Sequence, residues 1–190
     1  MRKRPALILI SGPPRAGKSR FGRYLSGWLK ADHFALSDKL KQMTHLHYGI
    51  GHCRVMEFED CKDEPRREFH GKTPRQAYID FSEGILKPCL GSGWLGTFAS
   101  ERVAGNLSKG VVSVISGVGF VDEVQPLIQC VGAERCLHIC VLPGSNLPSD
   151  ISDSRERLDL ETFGVPVLRL AHTTPLEFVE RIREHLGACD

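Results

Sequence analysis

Short apolar runs alternate with helical repeats along this chain. Residues 6–11 (ALILIS) and residues 111–115 (VVSVI) are continuous apolar or β-branched runs, as expected of strands that are buried on both faces of a sheet. Further short runs at residues 33–36, 137–142 and 165–170 have the same character. The sequence therefore predicts five strands.

Helical patterns lie between these strands. The apolar positions 21, 24, 25, 28 and 29 recur at helical spacing, and Ser37 or Asp38 can cap a helix after the second strand. Two more helical patterns span residues 74–86 and 93–104. A last helix is predicted to begin at Thr174, because a proline and a glutamate follow it at the positions of a capping box. Strands that alternate with helices indicate an α/β fold around a parallel sheet.

Two polar segments interrupt the alternation. Residues 49–75 carry several glycines and prolines, and we interpret them as an insertion or mobile arm rather than core. Residues 143–159 are rich in Gly, Ser, Pro and charge, which predicts a surface loop with room to move. The length of 190 residues fits one domain of ordinary size, so we expect a single domain over residues 1–190.

Composition limits the classes of function. Hydrophobic residues make up 41% of the chain, charged residues 25%, and the net charge is +2. A general affinity for polyanions is therefore not expected, and any bound phosphate must be held by locally placed cations. The apolar run after the basic N terminus is shorter than a signal peptide requires, and no stretch reaches the roughly 20 apolar residues of a membrane span.

The seven cysteines have no Cys-x-x-Cys spacing. Cys136, His138 and Cys140 suggest a zinc site, but they alternate with apolar residues as buried strand positions do, which favours structural thiols. Reduced thiols predict a cytoplasmic protein.

The strongest motif follows the first strand. Residues 12–19 (GPPRAGKS) match G-x-x-x-x-G-K-[ST] at every fixed position. Such a loop turns successive backbone N–H groups toward phosphate oxygens, and the helix that begins at its end adds its positive dipole. Lys18 is expected to reach the β- and γ-phosphates, and Ser19 to ligate Mg²⁺. The predicted ATP-binding residues of the loop are Gly12, Pro13, Pro14, Arg15, Ala16, Gly17, Lys18 and Ser19.

Motors, switches and transporters also use this loop, so the loop alone does not predict a kinase. Three features favour one: the small chain with no second domain for mechanical output, the basic residue Arg15 inside the loop, and the arginines of the polar segment 143–159. Arg155 and Arg157 are expected to fold over the transferring phosphoryl group as a lid. They lie in a mixed-charge stretch that is equally typical of a solvated surface.

Four motifs in the middle of the chain follow one another in order. They are residues 37–41 (SDKLK), 59–63 (EDCKD), 71–76 (GKTPRQ) and 82–88 (SEGILKP). With the phosphate loop, this series resembles the bacteriophage deoxynucleoside monophosphate kinases and their P-loop kinase relatives over about residues 5–125. The resemblance implies a three-layer α/β/α fold with a parallel sheet of strand order 2-3-1-4-5, a helical acceptor-binding insertion at about 38–108, and a lid at about 143–159.

The resemblance also implies site residues. Asp38 and Lys41 would face the acceptor, Arg75 would grip the acceptor's phosphate with Lys72 nearby, and Glu83 would belong to the same pocket. His172 and Thr173 follow the last strand, where related kinases seat the adenine. Arginine suits a phosphate because its planar fork binds two oxygens at once, although Arg75 also fits an exposed residue of a first helical turn, and Asp38 a plain helix cap.

The chain departs from this family at residues 116–123 (SGVGFVDE), where Gly117 and Gly119 replace an aspartate and an arginine. Asp122, Glu123 or Asp38 would then lie near the metal, or the acceptor differs from the family's. The two glycines also open space for a bulkier acceptor.

Three functions follow. The first is transfer of the γ-phosphate of ATP to a (deoxy)nucleoside monophosphate. The second is transfer to a hydroxyl, such as that of hydroxymethyluracil in phage DNA, with Asp38 as the base; the basic residues within 52–75 leave DNA open as an acceptor. The third is a nucleotide sensor without turnover. The sequence does not decide between a monomer and a homodimer, and no membrane partner is expected. If a phage encodes the protein, the expected compartment is the host cytoplasm.

Overall fold

The computed structural model describes residues 4–14, 16–51, 57–142, 158–171 and 173–187. The chain forms two compact units. The first, here the sheet unit, consists of Met1–Leu36 and Gly96–Asp190, and the second, the helical unit, is Ser37–Leu95. The helical unit falls within the predicted insertion at about 38–108.

The sheet unit is built on five parallel strands. They are β1 (Leu7–Ser11), β2 (Asp32–Ala35), β3 (Ser113–Ser116), β4 (Cys136–Val141) and β5 (Val167–Leu170). Their order is β2-β3-β1-β4-β5, and every neighbouring pair is parallel. The predicted strand order is confirmed. The carboxyl ends of β1 and its neighbours β3 and β4 therefore meet at one edge of the sheet, where α/β proteins bind their ligands.

Helices cover the sheet and complete the predicted α/β kinase fold. They are α1 (Lys18–Leu29), α5 (Trp94–Ser108), α6 (Val121–Val131) and α7 (Pro175–Leu186). Phe21 of α1 stacks on Phe178 of α7 with ring centroids 4.4 Å apart, over a core that includes Ile8 and Ile10 of β1. Because β1 side chains alternate, Leu7 and Leu9 are buried on the opposite face. The central strand is thus apolar on both sides, as its sequence predicts.

Helix starts follow the sequence signals in one case and depart from them in another. Thr174 and Glu177 form both bonds of the predicted capping box at α7. By contrast, α2 (Asp38–His47) begins after Ser37 without a side-chain capping bond. Ser37 occupies the N-cap position, and Asp38 is the acidic residue of the first turn.

The helical unit contains α2, α3 (Pro74–Phe81), a π turn (Ser82–Leu86) and α4 (Lys87–Leu90). A short 3₁₀ turn, Arg67–Phe69, precedes α3. The helix predicted over 74–86 thus ends at Phe81 and continues as the wider turn.

The sequence predicts that residues 49–75 are an insertion or mobile arm rather than core. Their described part contributes to a buried cluster, so the prediction that they lie outside a core is wrong. Phe58 and Phe69 are buried and meet edge to face at 5.1 Å. Both pack against the fully buried His45, whose Nε2 lies 2.9 Å from the Tyr78 hydroxyl. Burial raises the pKa of Tyr78, so this hydroxyl stays protonated. These aromatic residues are spaced without a regular period, which is why pattern analysis misses their core.

Each unit contains one of the chain's two tryptophans. Trp28 on α1 is 41% exposed, whereas Trp94, in the helical unit, is buried at 6%. Among the described helices, none combines the length and the apolar character that a bilayer crossing requires.

Candidate nucleotide-binding site

Two glycines shape the loop between β1 and α1. Gly12 has φ +144°, and a Cβ atom there would lie 2.5 Å from the carbonyl oxygen of Val141 on β4. Gly17 has φ +75° and is the N-cap of α1, which begins at Lys18. Both conformations favour glycine because a side chain would clash or strain the backbone. The loop therefore lies tightly against the neighbouring strand and ends at the N terminus of a helix.

Lys18 closes this loop. Its Nζ donates to the carbonyl oxygens of Gly12 at 2.8 Å and Pro13 at 2.6 Å. Ala16, between them and the lysine, is fully buried. The ammonium group is thus held over the backbone that a phosphate chain would follow, at the positive end of the α1 dipole.

Ser19 presents the oxygen predicted to bind Mg²⁺. It is exposed on the first turn of α1, and its Oγ lies 3.4 Å from the Oγ of Ser116, the last residue of β3. In the described part of the chain, no three His, Cys, Asp or Glu side chains converge to hold a metal ion. A single hydroxyl with nearby oxygens still fits Mg²⁺, which keeps several waters and takes its remaining ligands from substrate phosphates. Asp122, the other metal residue predicted, is exposed on the first turn of α6, and its role stays a prediction.

Gly117 directly follows β3, at the carboxyl edge of the sheet. Its φ is +82°, a left-handed conformation that glycine adopts without strain, and its N–H donates to the carbonyl of Ile10 at 3.0 Å. No atom lies within 4 Å of a Cβ built there. The backbone conformation therefore explains the glycine, and room for a bulkier acceptor stays a prediction.

A buried histidine, which the sequence analysis places among the structural residues of a strand, adjoins the loop. His138 on β4 is fully buried, and its Nε2 lies 2.7 Å from the Oγ of Ser11, the last residue of β1. Burial lowers the pKa of His138 to about 4, so the ring is neutral near pH 7. Its alternation with Cys136 and Cys140 is visible in the sequence, but the contact with Ser11 depends on the β1–β4 register.

On the acceptor side, a turn at residues 59–63 connects three predicted residues. Lys41 pairs with Glu59 at 2.5 Å and lies 3.9 Å from Asp38. Arg75 forms a two-point contact with Asp63, from Nε at 2.6 Å and Nη2 at 3.3 Å. Lys41 and Arg75 thus each form an ion pair with a carboxylate of this turn, and Asp38 lies next to Lys41. All of these residues belong to the helical unit.

Glu59 and Asp63 were not predicted as site residues. Burial raises the pKa of Glu59, but hydrogen bonds and charges from Lys41 and Lys62 outweigh it and lower the pKa overall. Glu59 is therefore ionised at neutral pH. Both residues stand in the motif 59–63 (EDCKD), so its density of acidic residues was the available signal.

Lys72 and Glu83 have other partners. The Lys72 ammonium pairs with Asp80 at 2.5 Å, and Glu83 pairs with Lys87 at 2.7 Å, one helical turn later. These contacts are on the surface, and they leave the predicted roles of both residues as predictions.

Four predicted residues lie outside the described part of the chain: Arg15, Arg155, Arg157 and His172. The same holds for residues 143–157 of the predicted lid. Thr173 is described, and its hydroxyl donates to the carboxylate of Glu177 beside the start of α7.

Solved structures share this fold. A sugar kinase from Janibacter sp. HTCC2649 aligns over 96% of this chain and 94% of its own, with a TM-score of 0.56 and 11% identity. A candidate kinase from Chloroflexus aurantiacus J-10-fl aligns over 96% of both chains, with a TM-score of 0.50 and 18% identity. No protein-family model matches the chain, and no curated protein is significantly similar to it in sequence. At these identities the likeness shows a P-loop kinase fold.

Proposed function

We propose that the chain is a kinase that transfers the γ-phosphate of ATP to a (deoxy)nucleoside monophosphate. One observation carries the donor half of this proposal: Lys18 is fixed over the carbonyls of a glycine-shaped loop that ends at the N terminus of α1. This arrangement neutralises and positions a polyphosphate. Positioning and charge neutralisation are the main contributions of a protein to phosphoryl transfer.

Different residues of the sheet unit bind different parts of the donor nucleotide. Lys18 neutralises charge on the β- and γ-phosphates, and the loop N–H groups hold their oxygens. Ser19 is the residue that would bind Mg²⁺, and the bound ion neutralises charge that develops on the phosphate oxygens.

The acceptor half rests on Arg75 and on the resemblance of residues 37–88 to deoxynucleoside monophosphate kinases. Arg75 is on the first turn of α3, and its guanidinium already holds a carboxylate by two points in Asp63. A phosphate monoester offers the same pair of oxygens, so it can replace Asp63 as the partner. No general base is needed for this acceptor, because a phosphate is already a nucleophile at neutral pH.

Transfer to a hydroxyl is the second candidate, and a specific observation favours it. The candidate phosphate-binding cations of the helical unit are paired with carboxylates: Lys41 with Glu59, Lys72 with Asp80, and Arg75 with Asp63. The Asp38 carboxylate, whose side chain is 43% exposed and lies 3.9 Å from the Lys41 ammonium, is the general base that we propose for a hydroxyl acceptor. Hydroxymethyluracil in DNA is the hydroxyl acceptor we propose for this case, and the Janibacter structure, named as a sugar kinase, shows the same fold.

An ADP-release assay separates these functions. It compares deoxynucleoside monophosphates, nucleosides and hydroxymethylated DNA as acceptors, each with ATP and Mg²⁺. Turnover with monophosphates supports the first function, and turnover only with hydroxymethylated DNA or nucleosides replaces it with the second. Tight ATP binding without turnover on any acceptor identifies a nucleotide sensor instead.

The donor half is tested by Lys18→Ala. We expect kcat to fall about 10²–10³-fold, the loss seen when one charge-stabilising donor is removed from an active site. Lys109→Ala is the control, since Lys109 is an exposed lysine of the same unit. A Lys18→Ala protein that phosphorylates its acceptor at the full rate contradicts the proposal.

A further inference from the structure

A buried hydroxyl lies behind the candidate metal ligand. Ser116 is the last residue of β3 and is fully buried. Its Oγ lies 3.4 Å from the Oγ of Ser19 and 3.1 Å from Nε2 of His33 on β2. A serine placed here connects the first turn of α1 with the β2 side of the sheet.

The imidazole of His33 occupies space that α1 leaves for it. A Cβ built on Gly22 would lie 2.3 Å from His33 Nε2 and 2.6 Å from its Cδ2. Gly22 is buried on the face of α1 that packs on the sheet, where a larger residue would otherwise be expected. Gly22 thus leaves room for the His33 ring, and the hydrogen bond between His33 and Ser116 holds the ring in that space.

The direction of the hydrogen bonds follows from what a metal requires. A hydroxyl that ligates a cation presents an oxygen lone pair to it, so its hydrogen must point elsewhere. The two hydroxyls are placed with Ser116 Oγ as the donor to Ser19 Oγ. A cation on Ser19 reverses this bond, so that Ser116 Oγ accepts from Ser19 and donates its own hydrogen onward. His33 accepts it at Nε2 if the ring carries its proton on Nδ1. The 3.4 Å separation between the serines is long for such a bond and shortens with a small rotation of the Ser19 side chain.

We propose that Ser116, held by His33, is a positioning residue that orients the Ser19 hydroxyl toward a divalent cation. The inference rests on the proposed function in so far as a nucleotide and its cation bind at the phosphate loop. It gives the chain a hydroxyl–imidazole pair at the end of β3, next to Gly117.

Another serine on the same strand provides a matched control. Ser113 is also fully buried on β3, but its Oγ accepts from Asn106 Nδ2 at 3.0 Å. Replacement of either serine by alanine removes one buried hydroxyl from the same strand. Only the Ser116 variant removes a neighbour of Ser19.

The experiment measures cation binding as well as turnover. Mn²⁺ is titrated into the full-length protein saturated with ADP, and the free ion is followed by its electron paramagnetic resonance signal. We expect Ser116→Ala to weaken Mn²⁺ binding about 10-fold, the lower end of the effect of groups that support a metal ligand. ADP affinity in EDTA should change less than about twofold, and Ser113→Ala should bind Mn²⁺ as the parent protein does.

Two further measurements test the inference even if Ser116→Ala folds poorly. Ser116→Thr retains the hydroxyl and should retain Mn²⁺ affinity. In the parent protein saturated with ADP and Mg²⁺, ¹⁵N NMR of the His33 ring should show the proton on Nδ1. A proton on Nε2 would reverse the direction of the bonds and overturn the inference.

These measurements distinguish failure of the proposed kinase function from failure of the role assigned to Ser116. If the parent protein binds no ADP, the proposed function fails. If it binds ADP and Mn²⁺, and Ser116→Ala binds Mn²⁺ equally well, the inference alone fails and the nucleotide site stands.

Discussion

In the phosphate loop, the groups that would touch a nucleotide are fixed by the backbone, whereas on the acceptor side they are fixed by ion pairs between side chains. Lys18 bonds to two carbonyls of its own loop. Arg75 and Lys41 instead bond to Asp63 and Glu59, on a turn that is separate from them in sequence. A backbone cradle permits few substitutions, while an ion pair can exchange one anion for another.

This difference explains why the donor is better defined than the acceptor. Polyphosphate fits any correctly shaped set of N–H groups, so the loop identifies its ligand class by geometry alone. Paired cations and carboxylates can take a phosphate or a hydroxylated acceptor, depending on which pair opens. The acceptor is therefore the point at which mutational tests give the most information.

The largest expected effect concerns Asp38. If the acceptor is a hydroxyl, Asp38→Asn removes the general base and should lower kcat about 10²–10⁴-fold. If the acceptor is a monophosphate, the loss should stay below about 10-fold, because no proton must be removed. Steady-state kinetics with both acceptor classes measures this. Asp60→Asn, an exposed aspartate of the same unit, is the control and should leave both rates unchanged.

The second effect tests the buried pair beside the loop. His138 has a pKa of about 4 in the folded protein because of its burial, compared with about 6.5 for an exposed histidine. The unfolded chain binds more protons between these values, so the free energy of unfolding decreases as the pH falls through this window. Between pH 7.5 and pH 5 the loss from this group should be about 2 kcal/mol.

Denaturant unfolding of the parent protein and of His138→Gln at both pH values measures this contribution. The variant should lose that part of the pH dependence, whatever its absolute stability. His47→Gln, at an exposed histidine, should retain it. An unchanged pH dependence in His138→Gln would show that the ring is not held neutral by burial.

The third effect concerns Arg75. Arg75→Ala should raise KM for a nucleoside monophosphate about 10–100-fold, as expected when charged hydrogen bonds to a phosphate are lost, with a smaller change in kcat. Arg66→Ala is a close control, since both arginine side chains are 38% exposed and each pairs with a carboxylate. Equal effects of the two variants would mean that Arg75 is only a surface ion-pair residue.

The smallest effects compare two glycines of the sheet unit. Gly12→Ala brings a Cβ to 2.5 Å from the Val141 carbonyl and should destabilise the protein by about 1–3 kcal/mol. Gly27 on α1 has no atom within 4 Å of a built Cβ, so Gly27→Ala should stabilise by about 0.5–1 kcal/mol. Thermal unfolding measures both. A neutral Gly12→Ala would contradict the tight approach of the loop to β4.

The sequence predicts features that depend on local spacing. The strands, the capping box at Thr174 and the phosphate loop each follow from residues within one short segment, and the structure shows the same strand order and cap. The contacts His45–Tyr78, Ser19–Ser116 and Ser11–His138 join residues 33, 97 and 127 positions apart. Such contacts are created by sheet register and packing, which periodicity along the chain does not encode.

The distribution of tryptophans has a practical consequence. Trp28 belongs to the sheet unit and is partly exposed, and Trp94 belongs to the helical unit and is buried. Trp28→Phe and Trp94→Phe proteins would each retain one fluorophore, with a blue-shifted emission expected for the protein that retains Trp94. Intrinsic fluorescence can thus follow the surroundings of Trp28 and Trp94 separately, and quenching by acrylamide can report which of the two becomes less accessible when ATP is added.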